Sequence, residues 1–328
     1  VPFLGLSLLV LPVLVDAWIG EAPEAAPYLP SLALLPLIAQ ALHLLCIIVG
    51  FVVAARMGAM EALGFSFGAG VCSAFGLNVA HTCGHDRRPL ARALSKTMFA
   101  WCALPAFASE HNVHHAIYAS YEDAATARRG ESAYAFAARY VVEAFRTAKR
   151  LQTRHTQRLP RLPALAAQHA LLLALVALIS PVALLSLCGW PSLLVFFVGH
   201  TGTSLAVMLV GFYVSHYGLE RPREESGKLA PPSATHSWSS SHAGSKYMLL
   251  GVSEHAFHHA HPTRGFWCSE AAQGAPRLPL PYAMAVLVAL CPPCWRALME
   301  PHLESQGSST RDEDPSGARR TFVLSERS

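Results

Sequence analysis

The stretch GAMEALGFSFGAGVCSAFGLNVA (Gly58–Ala80) runs straight into HTCGH (His81–His85). Its first part holds one charged residue, Glu61, near the start. A helix rises about 1.5 Å per residue, so the run is long enough to cross the hydrocarbon layer. The second part sets two imidazoles four residues apart, on one helix face, where the chain leaves the lipid. An apolar span ending in paired metal-binding side chains is the pattern that organises the remaining sequence.

Four more stretches qualify as spans: Val1–Ile19, Leu29–Ala55, Pro163–Trp190 and Ser192–Val214. A sixth apolar run, Leu278–Leu298, is interrupted by Pro279, Pro281, Pro292 and Pro293, and fits a short span, a re-entrant piece or an interfacial helix. Only 14% of the 328 residues are charged and the mean hydropathy is +0.33. A soluble enzyme carries about a quarter charged residues, so the apolar runs call for lipid. The net charge of +4 is modest and no nucleic-acid-binding pattern is present, so membrane lipids and not nucleic acid are the expected surroundings.

Charge sets the expected orientation. Thirteen of the 25 Lys and Arg fall between Arg87 and Arg161, in the connection between the third and fourth spans. By the positive-inside rule this connection is cytosolic, and the opposite turns, at Arg56 and at Gly189-Trp190-Pro191, are nearly uncharged. Three spans before a cytosolic loop would leave Val1 on the far side, so a further leading span is expected ahead of it. Leu94–Ser109 and Gly130–Arg150 read as interfacial segments. In the second, Ala133, Phe136, Ala137, Tyr140 and Phe145 are expected towards lipid, with Arg139, Arg146, Lys149 and Arg150 towards phosphates. Residues 1–303 form one membrane-embedded domain in this reading. The Ser-, Arg-, Asp- and Gly-rich 304–328 is a disordered tail. The eight cysteines lie mostly in or beside apolar runs, and the one close pair, Cys291-Pro-Pro-Cys294, lacks the second pair a tetrahedral metal site needs, so a packing role is expected.

The seventeen histidines cluster. Besides His81 and His85 there are His111-Asn-Val-His114-His115, His216 at the end of the fifth span, and His255-Ala-Phe-His258-His259. Residues at i, i+3 and i+4 share a helix face, and the topology brings all four groups to one membrane surface. Imidazole suits iron, copper, zinc or nickel. Nine imidazoles are too many for one ion. Two six-coordinate irons would use nine of about twelve positions and leave about three open, as a catalytic site requires. His43, His169 and His200 read as core residues satisfied within spans, and His155 and His302 as solvated ones. His236, His242 and His261 are as suited to orienting ligands as to being ligands.

These residues resemble the membrane alkane monooxygenases (alkane hydroxylases), a family of histidine-box non-haem di-iron enzymes related to xylene monooxygenases and membrane fatty-acyl desaturases. The likeness extends through Glu110–Tyr134, Tyr213–Leu219, His236-Ser-Trp-Ser-Ser-Ser-His242, His255–Arg264 and Pro292-Pro-Cys-Trp-Arg296, the last of which favours a structural role for Cys294. It covers roughly 10–303, and by comparison with the family the start is shortened. It implies an all-α, multi-pass membrane fold of the desaturase/hydroxylase type, with a di-iron site on the cytosolic face. The family's ligands fall on His81, His85, His111, His114, His115, His216, His255, His258 and His259. Thr82, Asp86, Phe212, Ser215, Glu254 and Phe257 depart from its motifs, and the second box has the H-x-x-H-H spacing of desaturases. The resemblance further implies O2-dependent hydroxylation of a terminal methyl of an n-alkane, with two iron ions as cofactor. Electrons would come from rubredoxin or ferredoxin with an NAD(P)H-dependent reductase, because the chain has no Fe–S or dinucleotide-binding pattern. Glu110, Glu122 and Asp123 are candidates to support the ligands. Alternatives are a desaturase or hydroxylase acting on a fatty-acyl or alkyl-aromatic substrate, and a catalytically degenerate metal-binding homologue.

Overall fold

The computed structural model describes residues 2–23, 30–105, 107–156, 182, 185–187 and 189–312. Helices α1 (Pro2–Ile19), α2 (Leu35–Ala54) and α3 (Ala59–Gly84) come first. Then follow α4 (Pro89–Trp101), α5 (Phe107–Ile117) and α6 (Ala133–Thr156). A long α7 (Pro191–His216) precedes short helices α8 (Ala243–Met248), α9 (His255–Ala260) and α10 (Tyr282–Ala289), and α11 (Pro292–Asp312) closes the described chain. Among the described residues β pairing is confined to isolated bridges, so the fold is all-α.

Leu32–Ala54, which is α2 with its lead-in turn, together with α3 and α7, are long and apolar enough to cross a membrane. This is a membrane protein, and α2 turns Ile38, Leu42, Leu45, Ile48 and Val52 outward, where a soluble protein would carry polar groups. The expected first span is the helix α1, packed on α3 and α8. Most of the expected fourth span, Pro163–Trp190, lies outside the described residues, as do His169 and Arg158.

α3 and α7 pack along much of their length because small residues let the backbones approach. A Cβ on Gly70 would lie 2.8 Å from the carbonyl oxygen of His200 and 2.5 Å from Thr203 Cβ, so any larger residue pushes the helices apart. Within this bundle Ser73 Oγ sits 3.0 Å from His43 Nε2 and 2.7 Å from His200 Nε2, tying α2, α3 and α7 together. The Nε2 atoms of His43 and His200 are satisfied as expected of core residues, while His200 Nδ1 is buried with no hydrogen-bond partner.

Several expectations change. Much of the face of α6 expected towards lipid meets protein instead. Ala133, Phe136 and Tyr140 are buried, with Phe136 5.8 Å from Tyr213 and Tyr140 5.9 Å from Phe212 between ring centroids, while Phe145 stays exposed. Arg139 binds Glu131, Glu143 and the carbonyls of Ala124 and Thr126, so its donors are used internally and not on phosphates. Leu94–Ser109 is expected not to cross, and here the structure agrees. A left-handed turn at Ala103 (φ 58°) folds α5 back so that Phe107 stacks on Phe99 at 3.8 Å. In Leu278–Leu298 the proline pair separates α10 from α11. Eight helical residues span only about 12 Å, too short to cross a layer of about 30 Å. Cys291 and Cys294 are exposed at that corner, which removes the packing role expected of them. Helix α11 runs on to Asp312, into the stretch read as tail, and 313–328 lie outside the described residues.

Candidate metal centre

Four elements converge at one end of the long helices. α3 delivers His81 at its last turn and His85 just beyond it, α5 delivers His111, His114 and His115, α7 ends on His216, and α9 carries His255, His258 and His259. The nine histidines singled out by spacing all arrive here, in two groups. His81, His85, His111, His115 and His258 form one; His114, His216, His255 and His259 form the other. Within each, the available ring nitrogens all lie within 4.8 Å of one another.

The division follows from helix geometry. Residues four apart are offset by about 40° around the axis and residues three apart by about 60° the other way. His111 and His115 therefore face one point while His114 turns to the other, and His255 and His259 pair off while His258 crosses over. The groups adjoin: the rings of His115 and His259 are 4.7 Å apart between centroids, those of His114 and His115 5.8 Å.

The nitrogen separations suit metal ions. His111 Nε2 lies 2.8 Å from His81 Nε2, 3.0 Å from His85 Nε2 and 3.0 Å from His115 Nε2. In the second group His216 Nε2 lies 3.0 Å from His255 Nε2 and 3.3 Å from His259 Nε2. Two ligands at a right angle, each with a metal–nitrogen bond of about 2.1 Å, stand about 3.0 Å apart. An imidazole nitrogen has one proton or one lone pair and cannot make three ordinary hydrogen bonds at once, but the arrangement suits lone pairs sharing a cation. Burial keeps the rings neutral, as ligation requires: it pushes His85 down to about 4, His255 to about 3 and His115 to about 2, and holds His111, His258 and His259 well below the usual range. The donor set, imidazole throughout, fits a transition-metal pair, and five plus four ligands leave each ion short of six.

His114 differs. Burial alone would lower it, but the Asp123 carboxylate holds it above the ordinary histidine value. Its Nδ1 lies 2.9 Å from Asp123 Oδ2, which also accepts from Thr126 Oγ1 at 2.6 Å, while Ala125 N–H donates to Oδ1 at 3.2 Å. A proton fixed on Nδ1 leaves Nε2 free for a metal. Glu110, also expected near the ligands, accepts from Tyr140 Oη at 3.1 Å, and burial raises its carboxyl to about 7. Glu122 does not belong to the site: it is exposed and pairs with Arg223. His236 contributes its backbone carbonyl, 3.4 Å from His216 Nδ1, while its ring turns to Ser233. His242 bonds Ser240. The buried strap Ser237–Ser241 anchors α9 through Ser239 Oγ, which accepts from Ala256 N–H at 3.1 Å.

Sequence reasoning passed over three supports. Phe107 stacks on His111 (4.9 Å) and Tyr118 on His259 (3.9 Å), fixing ring orientation. Asp16, an acid inside an apolar helix, accepts from Ser245 N–H at 2.9 Å and Ser245 Oγ at 2.5 Å, docking α1 on α8. A carboxylate in such a run marks a required partner, and that signal was readable.

An apolar cavity of about 120 Å³ ends on these histidines. Leu77, Met208, Phe212, Val286 and Leu287 line its length, and His81, His111, His114 and His255 stand at one end. A smaller cleft of about 30 Å³ reaches His85 and His258 between Thr82, His261, Arg264 and Phe266.

The fatty acid desaturase family model matches residues 58–293. Over 314 residues the chain is 32% identical to an alkane 1-monooxygenase of Ectopseudomonas oleovorans, covering 91% of this chain and 78% of that one. It is 30% identical over 246 residues to an alkane 1-monooxygenase of Pseudomonas putida (75% and 61%). It is 31% identical over 257 residues to alkane 1-monooxygenase 1 of Pseudomonas aeruginosa (78% and 67%). The aligned region thus spans between three-fifths and four-fifths of these relatives' length.

Proposed function

The chain belongs to the fatty acid desaturase family and, within it, to the alkane hydroxylases, and from that premise we propose that it hydroxylates the terminal methyl of an n-alkane to give a primary alcohol. It is an oxidoreductase of the alkane 1-monooxygenase type. The observation that carries this reading is an apolar cavity ending on two adjoining clusters of imidazoles.

In this proposal the nine histidines, His81, His85, His111, His115 and His258 with His114, His216, His255 and His259, hold two iron ions. When bound, the ions supply the redox chemistry by which O2 oxidises an unactivated C–H bond. The chain does the rest. The cavity takes an alkyl chain out of the lipid and directs its end towards His81, His111, His114 and His255. A hydrocarbon offers the walls no polar handle, so selection rests on length and shape, worth about 1–3 kcal/mol per methylene. Burial excludes water from the reacting end. Asp123 and Thr126 hold the proton on His114 Nδ1, Phe107 and Tyr118 lock two further rings, and Glu110 with Tyr140 forms a proton-bearing pair beside the ligands. Electrons would enter from a rubredoxin or ferredoxin, itself reduced by an NAD(P)H-dependent reductase. The cleft over His85 and His258, near exposed Arg87, Arg92 and Lys96, suits an acidic donor, and in the orientation proposed from charge, with the chain crossing the membrane several times, this face is cytosolic.

The decisive experiment is expression with a donor and reductase, followed by product identification from a panel of alkanes, fatty acids and xylenes. A 1-alkanol as main product supports the proposal. An alkene or unsaturated acyl chain would turn it to the desaturase reading, which the family model also fits. Bound iron without O2 consumption on any substrate would make the chain a metal-binding homologue.

A further inference from the structure

Cys291 and Cys294 play no part in the proposed oxidation, and their setting does not suit a structural pair of thiols. Both side chains are exposed at the corner between α10 and α11, and their sulfurs lie 2.8 Å apart. The base beneath them is firm. Trp295 N–H donates to Cys291 O at 2.9 Å, opening the helix, and the buried Trp295 ring packs 5.7 Å from Tyr213 and 5.5 Å from Tyr217 between centroids. Tyr134 Oη donates to Leu290 O at 2.8 Å from the other side. Two prolines between the cysteines restrict the backbone further. The thiols are thus held close on a firm turn, with both side chains exposed.

We propose that Cys291 and Cys294 form a thiol–disulfide exchange site whose substrates are small disulfides such as oxidised glutathione. Cys291 attacks one sulfur of the small disulfide, whose sulfur–sulfur bond breaks. One half leaves as a thiol and the other stays bonded to Cys291. Cys294 then attacks the Cys291 sulfur, the mixed disulfide breaks, and the second half leaves as a thiol. The two protein thiols lose two electrons and two protons in total, and the small disulfide gains them. Closing the pair to a sulfur–sulfur bond of about 2.05 Å needs a movement of less than about 1 Å. Roles divide by position. The contact shared by the two sulfurs, with the Cys294 backbone N–H, lowers Cys291 below the usual thiol range, whereas the same shared contact pushes Cys294 up. The more acidic thiol at the start of the helix is the attacker, and the other resolves.

The full chain in detergent or lipid nanodiscs is equilibrated with mixtures of reduced and oxidised glutathione, and free thiols are tagged and mapped by mass spectrometry. A single two-electron transition to a Cys291–Cys294 disulfide is expected. Cys294→Ser should trap glutathione on Cys291, and Cys291→Ser should leave Cys294 largely unmodified. With iodoacetamide at pH 7, Cys291 should react at least about tenfold faster than Cys294. Both positions are exposed, and unchanged far-UV circular dichroism of the serine variants would exclude misfolding. The proposal is overturned if excess oxidised glutathione gives no internal disulfide, if the two cysteines alkylate at equal rates, or if the pair resists oxidation until a chelator removes bound zinc. None of these results bears on alkane oxidation.

Discussion

The protein holds histidines in two buried settings that look alike in sequence and differ in chemistry. Among the spans, His43 and His200 flank Ser73, and their facing nitrogens each meet a hydroxyl that can both donate and accept. At the end of the same helices, the nearest polar neighbour of His111 Nε2 is another imidazole nitrogen, three times over. In the first pattern the facing nitrogens are met by one hydroxyl. The second suits a shared cation. What separates a core histidine from a ligand is thus the group opposite its nitrogen, not burial: His200 and His216 are equally buried on the same helix.

The largest effect expected from this contrast is at the hub of the five-histidine group. On the proposed two-iron reading, His111→Ala should lower iron from two ions per chain towards one and cut turnover by more than about 100-fold, since even groups that only orient ligands are worth about 10–100-fold. Metal analysis beside product formation checks it, and retention of both ions would break the contrast. Asp123→Asn comes next. It should leave the helical content intact but weaken iron binding or turnover by about 10–100-fold, because the amide no longer fixes the proton on His114 Nδ1. A variant with wild-type iron affinity and rate would reduce that contact to packing.

Smaller effects sharpen the membrane side. Chelation of the metals should lower the unfolding temperature of the wild type and of His200→Phe by the same amount, the two sites being independent to within about 0.5 kcal/mol. Unequal shifts would mean that the clusters communicate. His200→Phe alone should cost about 0.5–2 kcal/mol, as interhelical hydrogen bonds in membranes do, with iron content unchanged. Loss of iron in that variant would place His200 in the same functional unit as the ligands.

Much of this was legible beforehand. The apolar runs, the turn residues between them and the spacing of His81/His85, His111/His114/His115 and His255/His258/His259 are local properties, and local properties survive in a linear reading. The face of α6 was misread for an equally physical reason. Apolar residues at helical spacing say only that a face avoids water, and Phe136 and Tyr140 avoid it against Tyr213 and Phe212. Cys291 and Cys294 were misread because an apolar neighbourhood in sequence was taken for burial in space.

The amino-acid sequence alone determined that the protein is helical and lipid-embedded, and that nine imidazoles stand where helices leave the membrane. Both follow from hydrophobic length and from the 3.6-residue turn, which act within one segment. Only the tertiary structure decided how those imidazoles divide into five and four, that Asp123 and not Glu122 supports them, and that the cavity ends on them. Those outcomes depend on the distances between α3, α5, α7 and α9. Such distances are set by close packing between segments far apart along the chain, and no single segment encodes them.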